Sequence, residues 1–143
     1  IYTNLNTLSL HDALPILQAV RAFAALPEAA ALAAANKRIG NILRKSETAP
    51  ADQVSMDLFR EPAEEAFRAA LADAAAQANP AFERGDYSAS LQAWAAVKAP
   101  VDAFFDQVMV NADDMDVRRN RLGLLRDLHA AMNRVADLAK LAA

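Results

Sequence analysis

The sequence predicts an all-α fold, a compact bundle of about five to six helices. Only three of the 143 residues are glycine, alanine is abundant and β-branched residues are few, so helix propensity is high along almost the whole chain. No segment alternates apolar and polar residues as a half-buried strand would, whereas apolar residues recur at helical spacing. No internal repeat points to a solenoid, so a bundle is the better interpretation.

Size and composition predict one globular domain. The chain is 55% hydrophobic, which is enough for one buried core. It has no cysteine, which excludes disulfides, thiolate zinc sites and a cysteine nucleophile and agrees with a cytoplasmic location. The uncharged apolar runs are too short to span a bilayer, so we expect no membrane partner.

Three helices are predicted in the N-terminal half. The first covers about residues 17–26 and the second about residues 27–45, which begins at a proline that loses no needed hydrogen bond. Turn-forming residues predict an exposed loop over residues 46–57. A third helix is expected to begin near Pro62 and to be interrupted at Pro80.

The C-terminal half is predicted to begin with a tight helix hairpin, because Gly85 and Asp86 are a helix stop and a helix start in adjacent positions. The chain restarts at Pro100, and the last helix is expected to begin after Asn111, with aspartates at its positive dipole end, and to reach about residue 141. The predicted core positions are Tyr87, Leu91, Trp94, Val101, Phe104, Phe105, Val108, Val117, Leu124, Leu125, Leu128, Met132 and Val135. We assign the aromatic residues among them to the core and not to base stacking.

Arg121 falls on the apolar stripe of the last helix, where a charge requires a partner. We predict a structural pairing with a carboxylate, because a guanidinium and a carboxylate can form two parallel hydrogen bonds. The four candidates are the aspartates of the preceding helix and of the connection: Asp102, Asp106, Asp113 and Asp114.

Basic residues cluster in two places, although the net charge is −3 and the pI is about 5.3. Such a balance gives no overall sign of nucleic-acid binding, since phosphate binding usually leaves a basic domain. The clusters are Lys37, Arg38, Arg44 and Lys45 in the second helix, and Arg118, Arg119 and Arg121 in the last. Charge distribution therefore matters more than the sum.

Two segments resemble a known family. They are ALAAANKRIGNIL at residues 31–43 and APVDAFFDQVMVNADDMDVRRNRLGLL at residues 99–125, with a weaker RVADLAKL at residues 134–141. These strings are similar to the C-terminal region of bacterial glycyl-tRNA synthetase beta subunits. That region is a helical anticodon-binding domain of the DALR type, related to that of arginyl-tRNA synthetase.

The resemblance divides the chain into two parts. Residues 17–143 are expected to form the helical anticodon-binding domain, as a fragment of a longer subunit. Residues 1–16 do not resemble the family, and their string SLHDALPI is expected to be a translated sequencing adapter fused to a truncated gene.

The resemblance also implies a role in an ATP-dependent glycine-tRNA ligase whose catalytic site is on the alpha subunit. This fragment would hold the anticodon stem-loop of the tRNA for glycine, and its protein partners would be the alpha subunit and the remainder of the beta subunit. We expect it to carry no catalytic residue and no cofactor of its own, and to bind no DNA.

Individual residues have alternative interpretations. Asn36, Lys37 and Arg38 match the family's NKR element and are RNA-binding candidates, but Asn36 lies between Leu32 and Ile39 on the apolar face, which favours a structural hydrogen bond between helices. Arg44 and Lys45 extend this set. Arg118 and Arg119 are candidates both for phosphate contacts and for neutralisation by the nearby aspartates.

Other kinds of site receive no support from the sequence. A carboxylate metal site in a bundle needs glutamate with histidine at i+3, which is absent, and neither His11 nor His129 has a catalytic arrangement around it. Gly40 and Gly123 stand singly inside helices, so they form no phosphate loop and are predicted to allow close helix approach. The alternative function is a helical protein-interaction module without RNA contact, whose surface cations would be scattered and paired.

Overall fold

The computed structural model describes the backbone of residues 10–140 and the side chains of residues 14–134, and within this range the prediction of an all-α bundle is confirmed. Six α-helices follow one another, with a short 3-10 turn at Met56–Leu58 between the second and third. They are α1 Leu10–Ala24, α2 Pro27–Lys45, α3 Pro62–Glu83, α4 Tyr87–Ala95, α5 Lys98–Gln107 and α6 Met115–Lys140.

One hydrophobic core joins all six helices. Helix α3 packs mainly on α4 and α5, α1 packs on α4, and α2 packs on α6. Phe67 of α3 meets Phe104 of α5 with ring centroids 4.8 Å apart, a spacing typical of stabilising aromatic pairs. The core positions predicted on α4 to α6 are buried except for Tyr87 and Phe105, which are half-buried, while the side chain of Val135 lies outside the described residues.

The first helix begins earlier than predicted. It starts at Leu10 and not near residue 17, and it continues through Pro15. Ile16, Ala19, Val20 and Phe23 are all buried and recur at helical spacing, so one continuous apolar face crosses the predicted boundary. Most of the segment 1–16 lies outside the described side chains, and its foreign origin stays a prediction.

The interruption predicted at Pro80 is wrong, because α3 continues to Glu83. A proline inside a helix loses one backbone hydrogen bond and costs about 3 kcal/mol. Ala78 and Ala81 are almost completely buried on either side of it, and α3 makes its most extensive contact with α4. Tertiary packing therefore holds the helix together across the proline.

The predicted hairpin between α3 and α4 is confirmed. Gly85 adopts a φ of 82°, a left-handed conformation that glycine adopts without strain. Asp86 then caps α4, since its Oδ1 accepts a hydrogen bond from the N–H of Ala89 at 3.2 Å. Phe82 and Tyr87 pack edge to face across the corner.

No single helix in the described part of the chain is long and apolar enough to cross a membrane. Taken together, Leu14–Ala24 and Pro27–Lys45 pass on length and composition, but the pair is bent by 92°.

Candidate nucleic-acid interface

Helix α2 presents a polar face that lines a shallow groove of about 520 Å³. The opposite face is anchored in the core by Leu32 and Ile39. Because residues four apart share one side of a helix, Lys37, Asn41 and Lys45 form a polar row along the groove. The complete lining is Ala34, Lys37, Arg38, Asn41, Ile42, Lys45, Ser46 and, from the connection between α5 and α6, Asn111.

The cations of this face have no acidic partners among the described residues. Lys37, Arg38, Arg44 and Lys45 are all exposed. The four salt bridges that the described side chains form involve other residues, and the side chain of Arg44 donates a hydrogen bond to Oδ1 of Asn41 instead. Arg44 and Lys45 also occupy the last turn of α2, where a cation interacts favourably with the helix dipole. The face therefore combines uncompensated positive charge with amide groups.

Arg38 is held over an aromatic ring. Its guanidinium carbon lies 4.1 Å from the ring centroid of Phe105, within the range of a cation–π interaction. Phe105 in turn meets the buried Phe104 at right angles, with centroids 5.9 Å apart. The assignment of Phe104 and Trp94 to the core is confirmed, whereas Phe105 is half-buried and supports a cation at the groove.

Asn36 does not make the inter-helix hydrogen bond through its oxygen. Its Oδ1 is buried and has no hydrogen-bond partner in the described part of the chain. A buried acceptor without a partner costs about 1–3 kcal/mol. RNA contact by Asn36 stays a prediction.

The basic residues at the start of α6 have different surroundings from each other. Arg118 is half-buried and its Nε donates to the carbonyl of Ala112 at 2.8 Å, so it braces the connection that precedes α6. Arg119 is exposed. Within the described range neither forms a salt bridge with the nearby aspartates, so the neutralisation weighed for them is not observed, and their phosphate contacts stay predictions.

The predicted aspartate partners of Arg121 are wrong, because the residue pairs with Glu64 of α3. Arg121 Nε donates to Oε1 of Glu64 at 2.9 Å, and its Nη2 donates to Oε2 at 3.3 Å. Nη1 donates to the carbonyl of Met109 at 2.6 Å. The arginine and glutamate side chains are only 7% and 0% exposed, so this buried pair ties α6 to the start of α3 and to the end of α5.

The four aspartates serve elsewhere. Asp114 caps α6, since its Oδ1 accepts hydrogen bonds from the N–H groups of Asp116 and Val117, which agrees with the acidic helix start that the sequence predicts. Asp102 pairs with Lys98 at 2.8 Å on the surface. Asp106 and Asp113 are exposed. These side chains lie outside the core, where Arg121 requires its partner.

Glu64 has two structural functions at once. Its Oε2 accepts hydrogen bonds from the backbone N–H groups of Arg60 and Glu61 at 2.7 and 2.8 Å, which are donors that the start of a helix leaves without partners. Burial alone would raise the pKa of Glu64, but the hydrogen bond from Arg121, the two backbone hydrogen bonds and the charge of Arg121 together lower that pKa below its ordinary value of 4.5. The carboxylate is therefore ionised at neutral pH.

The loop between α2 and α3 is fastened along α6. Asn120 accepts from the N–H of Ser55 at 2.7 Å and donates to the carbonyl of the same residue at 2.9 Å, as a neighbouring strand would. The guanidinium of Arg126 donates to the carbonyls of Ala51 and Asp52. Asn120 is completely buried, and its asparagine between arginine and the apolar stripe was the signal in the sequence that could have identified it.

The two single glycines allow close approach, as predicted, but to different neighbours. A Cβ atom at Gly40 would lie 3.2 Å from Nε2 of His129, a side chain of α6. A Cβ atom at Gly123 would lie 3.2 Å from Cγ2 of Val54 and 3.4 Å from the carbonyl oxygen of Ala51, both in the loop. Gly123 therefore accommodates the loop and not another helix.

Comparison with known proteins identifies the family. The model of the DALR anticodon binding domain matches residues 32–142. The chain belongs to this family. The matched residues contain the groove on α2, Phe105, the Glu64–Arg121 pair and the fastened loop, so the DALR domain includes every candidate RNA-binding residue named above.

Individual relatives agree with the family. The chain is 65% identical over 127 residues to a glycine–tRNA ligase beta subunit of Leptothrix cholodnii, and 65% identical over the same length to that of Thiobacillus denitrificans; each match covers 89% of this chain and 18% of the relative. The beta subunit of Janthinobacterium sp. (strain Marseille) is 63% identical over 134 residues, covering 94% of this chain and 19% of the relative. The DALR domain studied here thus spans less than one fifth of the length of these relatives.

Proposed function

We propose that this DALR domain binds the anticodon stem-loop of the tRNA for glycine, as a module of a glycine-tRNA ligase beta subunit, and so supports glycyl-tRNA formation in translation. The observation that supports the proposal is the groove on α2, where exposed cations without acidic partners stand beside amide groups. Cations contact phosphates, and amides suit the edges of unpaired bases.

Local charge makes the acidic composition compatible with RNA binding. The net charge is −3, but Lys37, Arg38, Arg44 and Lys45 lie within three turns of one helix. At physiological ionic strength, exposed charges farther apart than about 8 Å are largely screened from one another. A phosphate in the groove therefore experiences these cations more strongly than the acids elsewhere on the surface.

The parent ligase supplies the parts of the reaction that this chain does not. We propose that ATP is used at a catalytic site on the alpha subunit, that the remainder of the beta subunit is the other protein partner, and that all of them operate in the cytoplasm. The chain itself would position tRNA and contribute no catalytic residue.

Binding of the 143-residue chain to a glycine tRNA, and to the same tRNA with an altered anticodon, tests the proposal when both are titrated at two salt concentrations. We expect salt-sensitive binding that weakens when the anticodon changes. The observed association constant should fall with salt by a slope of about 0.7 to 0.9 for each phosphate neutralised. Binding that ignores the anticodon would reduce the function to a general tRNA contact.

A second candidate function, docking of another protein, is favoured by the exposed methionines. Met109, Met115 and Met56 are 72%, 51% and 52% exposed, and methionine adapts well to protein-binding surfaces. Met109 and Met115 flank the connection between α5 and α6. If the chain binds neither tRNA but is captured by the purified alpha subunit, and Met109→Glu abolishes the capture, this surface and not the groove carries the function.

A further inference from the structure

We propose that Arg38, supported by Phe105, is a stacking surface for one unpaired base of the bound RNA loop. The inference rests on the proposed RNA-binding function and assigns Arg38 a role different from that of the lysines around it. Lys37 and Lys45 would contact phosphates, whereas Arg38 would contact the face of a base.

The position of the guanidinium carries the argument. Arg38 is exposed and lines the groove, while its guanidinium carbon lies 4.1 Å from the centroid of Phe105. One side of the planar group is therefore covered by an aromatic ring, and the other side is accessible from the groove. A planar cation held in this way can stack on a base, as arginine does in recognition of single-stranded RNA.

The support below Arg38 is rigid. Phe105 is half-buried and packs on Phe104, which is completely buried and itself packs on Phe67. The stack thus continues from the core to the surface. A side chain that is already ordered loses less conformational entropy when a ligand binds, so part of the cost of base stacking is removed beforehand.

The remaining groups of the groove fit one splayed base. Asn41 and Asn111 line the groove with Arg38, and amides can form hydrogen bonds with base edges. Oδ1 of Asn41 accepts from Arg44, so Asn41 keeps its amide hydrogens as donors. Together these residues can offer one surface to the face of a base and polar groups to its edge.

Fluorescence of 2-aminopurine tests the inference with the full 143-residue chain. An anticodon stem-loop RNA of a glycine tRNA is prepared with 2-aminopurine at one unpaired loop position at a time. Stacking quenches this fluorophore, so we expect quenching at one position when the wild-type chain binds. In Arg38→Lys, which keeps the charge and loses the plane, we expect that quenching to disappear and Kd to rise about tenfold, with the salt slope unchanged.

Two further variants provide the controls. Arg44→Lys makes the same replacement on the same helix at a residue that does not lie on Phe105, and it should leave quenching and Kd unchanged. Phe105→Leu removes the aromatic support while keeping an apolar side chain, and it should reduce the quenching as Arg38→Lys does. Circular dichroism checks that each variant is folded.

The outcomes separate this inference from the proposed function. Wild-type binding together with unchanged quenching and Kd in Arg38→Lys would overturn the stacking role and leave RNA binding intact. No binding of the RNA by the wild-type chain would overturn both. Quenching that is lost in Arg44→Lys as well as in Arg38→Lys would also contradict a specific role for Arg38.

Discussion

The buried pair of Arg121 and Glu64 is the residue-scale feature on which the fold depends most. Replacing Arg121 with methionine keeps the apolar contacts but leaves the carboxylate of Glu64 buried with only backbone donors, and it leaves the carbonyl of Met109 without its partner. Removal of one member of a buried pair costs about 3–5 kcal/mol. We therefore expect Arg121→Met to lower the free energy of unfolding, measured in urea, by at least about 3 kcal/mol.

The matched control is Arg84→Met at the exposed pair of Arg84 and Asp86, whose charged atoms are 3.8 Å apart. An exposed pair contributes about 0–1 kcal/mol. Equal effects of the two replacements would contradict the structural importance assigned to Arg121.

Glu64 also makes stability depend on pH. Its pKa in the folded chain is lowered below 4.5, so the unfolded chain binds its proton more readily than the folded one. The stabilisation is fully present above the unfolded pKa and is lost as pH falls through the folded value. In a urea series from neutral pH downward, we expect the acid-side loss of stability to be shallower in Glu64→Gln than in the wild type, whereas Glu65→Gln, the same change at an exposed neighbour, should leave it unaltered.

The partner of Arg121 shows what the sequence could and could not predict at this scale. The stripe of α6 predicted that a carboxylate was required. It could not identify Glu64, which lies 57 positions away, because the contact depends on how α3 crosses α6. One local signal was present: Glu64 precedes Phe67 by three residues, on the same face of α3, and a charge on a core face needs a partner as Arg121 does.

At the scale of elements, helix existence was predictable and helix ends were less so. Apolar periodicity predicted α2 and α6, and the adjacent Gly85 and Asp86 predicted the α3–α4 corner. The errors fell at Pro15 and Pro80, where local propensity predicts a boundary. Burial of the residues around each proline overrides that propensity, and burial is a tertiary property that a local pattern does not contain.

The loop across α6 makes the two helical glycines unequal. Glycine to alanine inside a helix normally stabilises it by up to about 1 kcal/mol. At Gly40 the new methyl group would meet only the tip of His129, which can rotate away, so we expect Gly40→Ala to be neutral or stabilising. At Gly123 it would meet a valine methyl and a backbone carbonyl of the loop, so we expect the loop to be displaced and Gly123→Ala to be less stable than Gly40→Ala by about 1 kcal/mol.

Thermal unfolding of the two variants measures this difference, and limited proteolysis reports the loop directly. Cleavage within residues 46–61 should be faster in Gly123→Ala than in Gly40→Ala. Equal stability and equal cleavage would indicate that the loop is not held against α6 at this point.

At the scale of the whole molecule, the distribution of charge decides between the two candidate functions. Replacing Lys37 and Lys45 with glutamate reverses the charge of the groove. Replacing Arg68 and Arg84, which are exposed and do not line the groove, changes the net charge of −3 by the same amount. If the groove binds RNA, the first pair should weaken tRNA binding by more than about tenfold and reduce the salt slope by about 1.4–1.8, whereas the second pair should have a much smaller effect. Both variants should retain the wild-type melting temperature, since all four side chains are exposed. Equal weakening by both pairs would mean that only the total charge matters, and the groove would lose its assignment as the RNA-binding site.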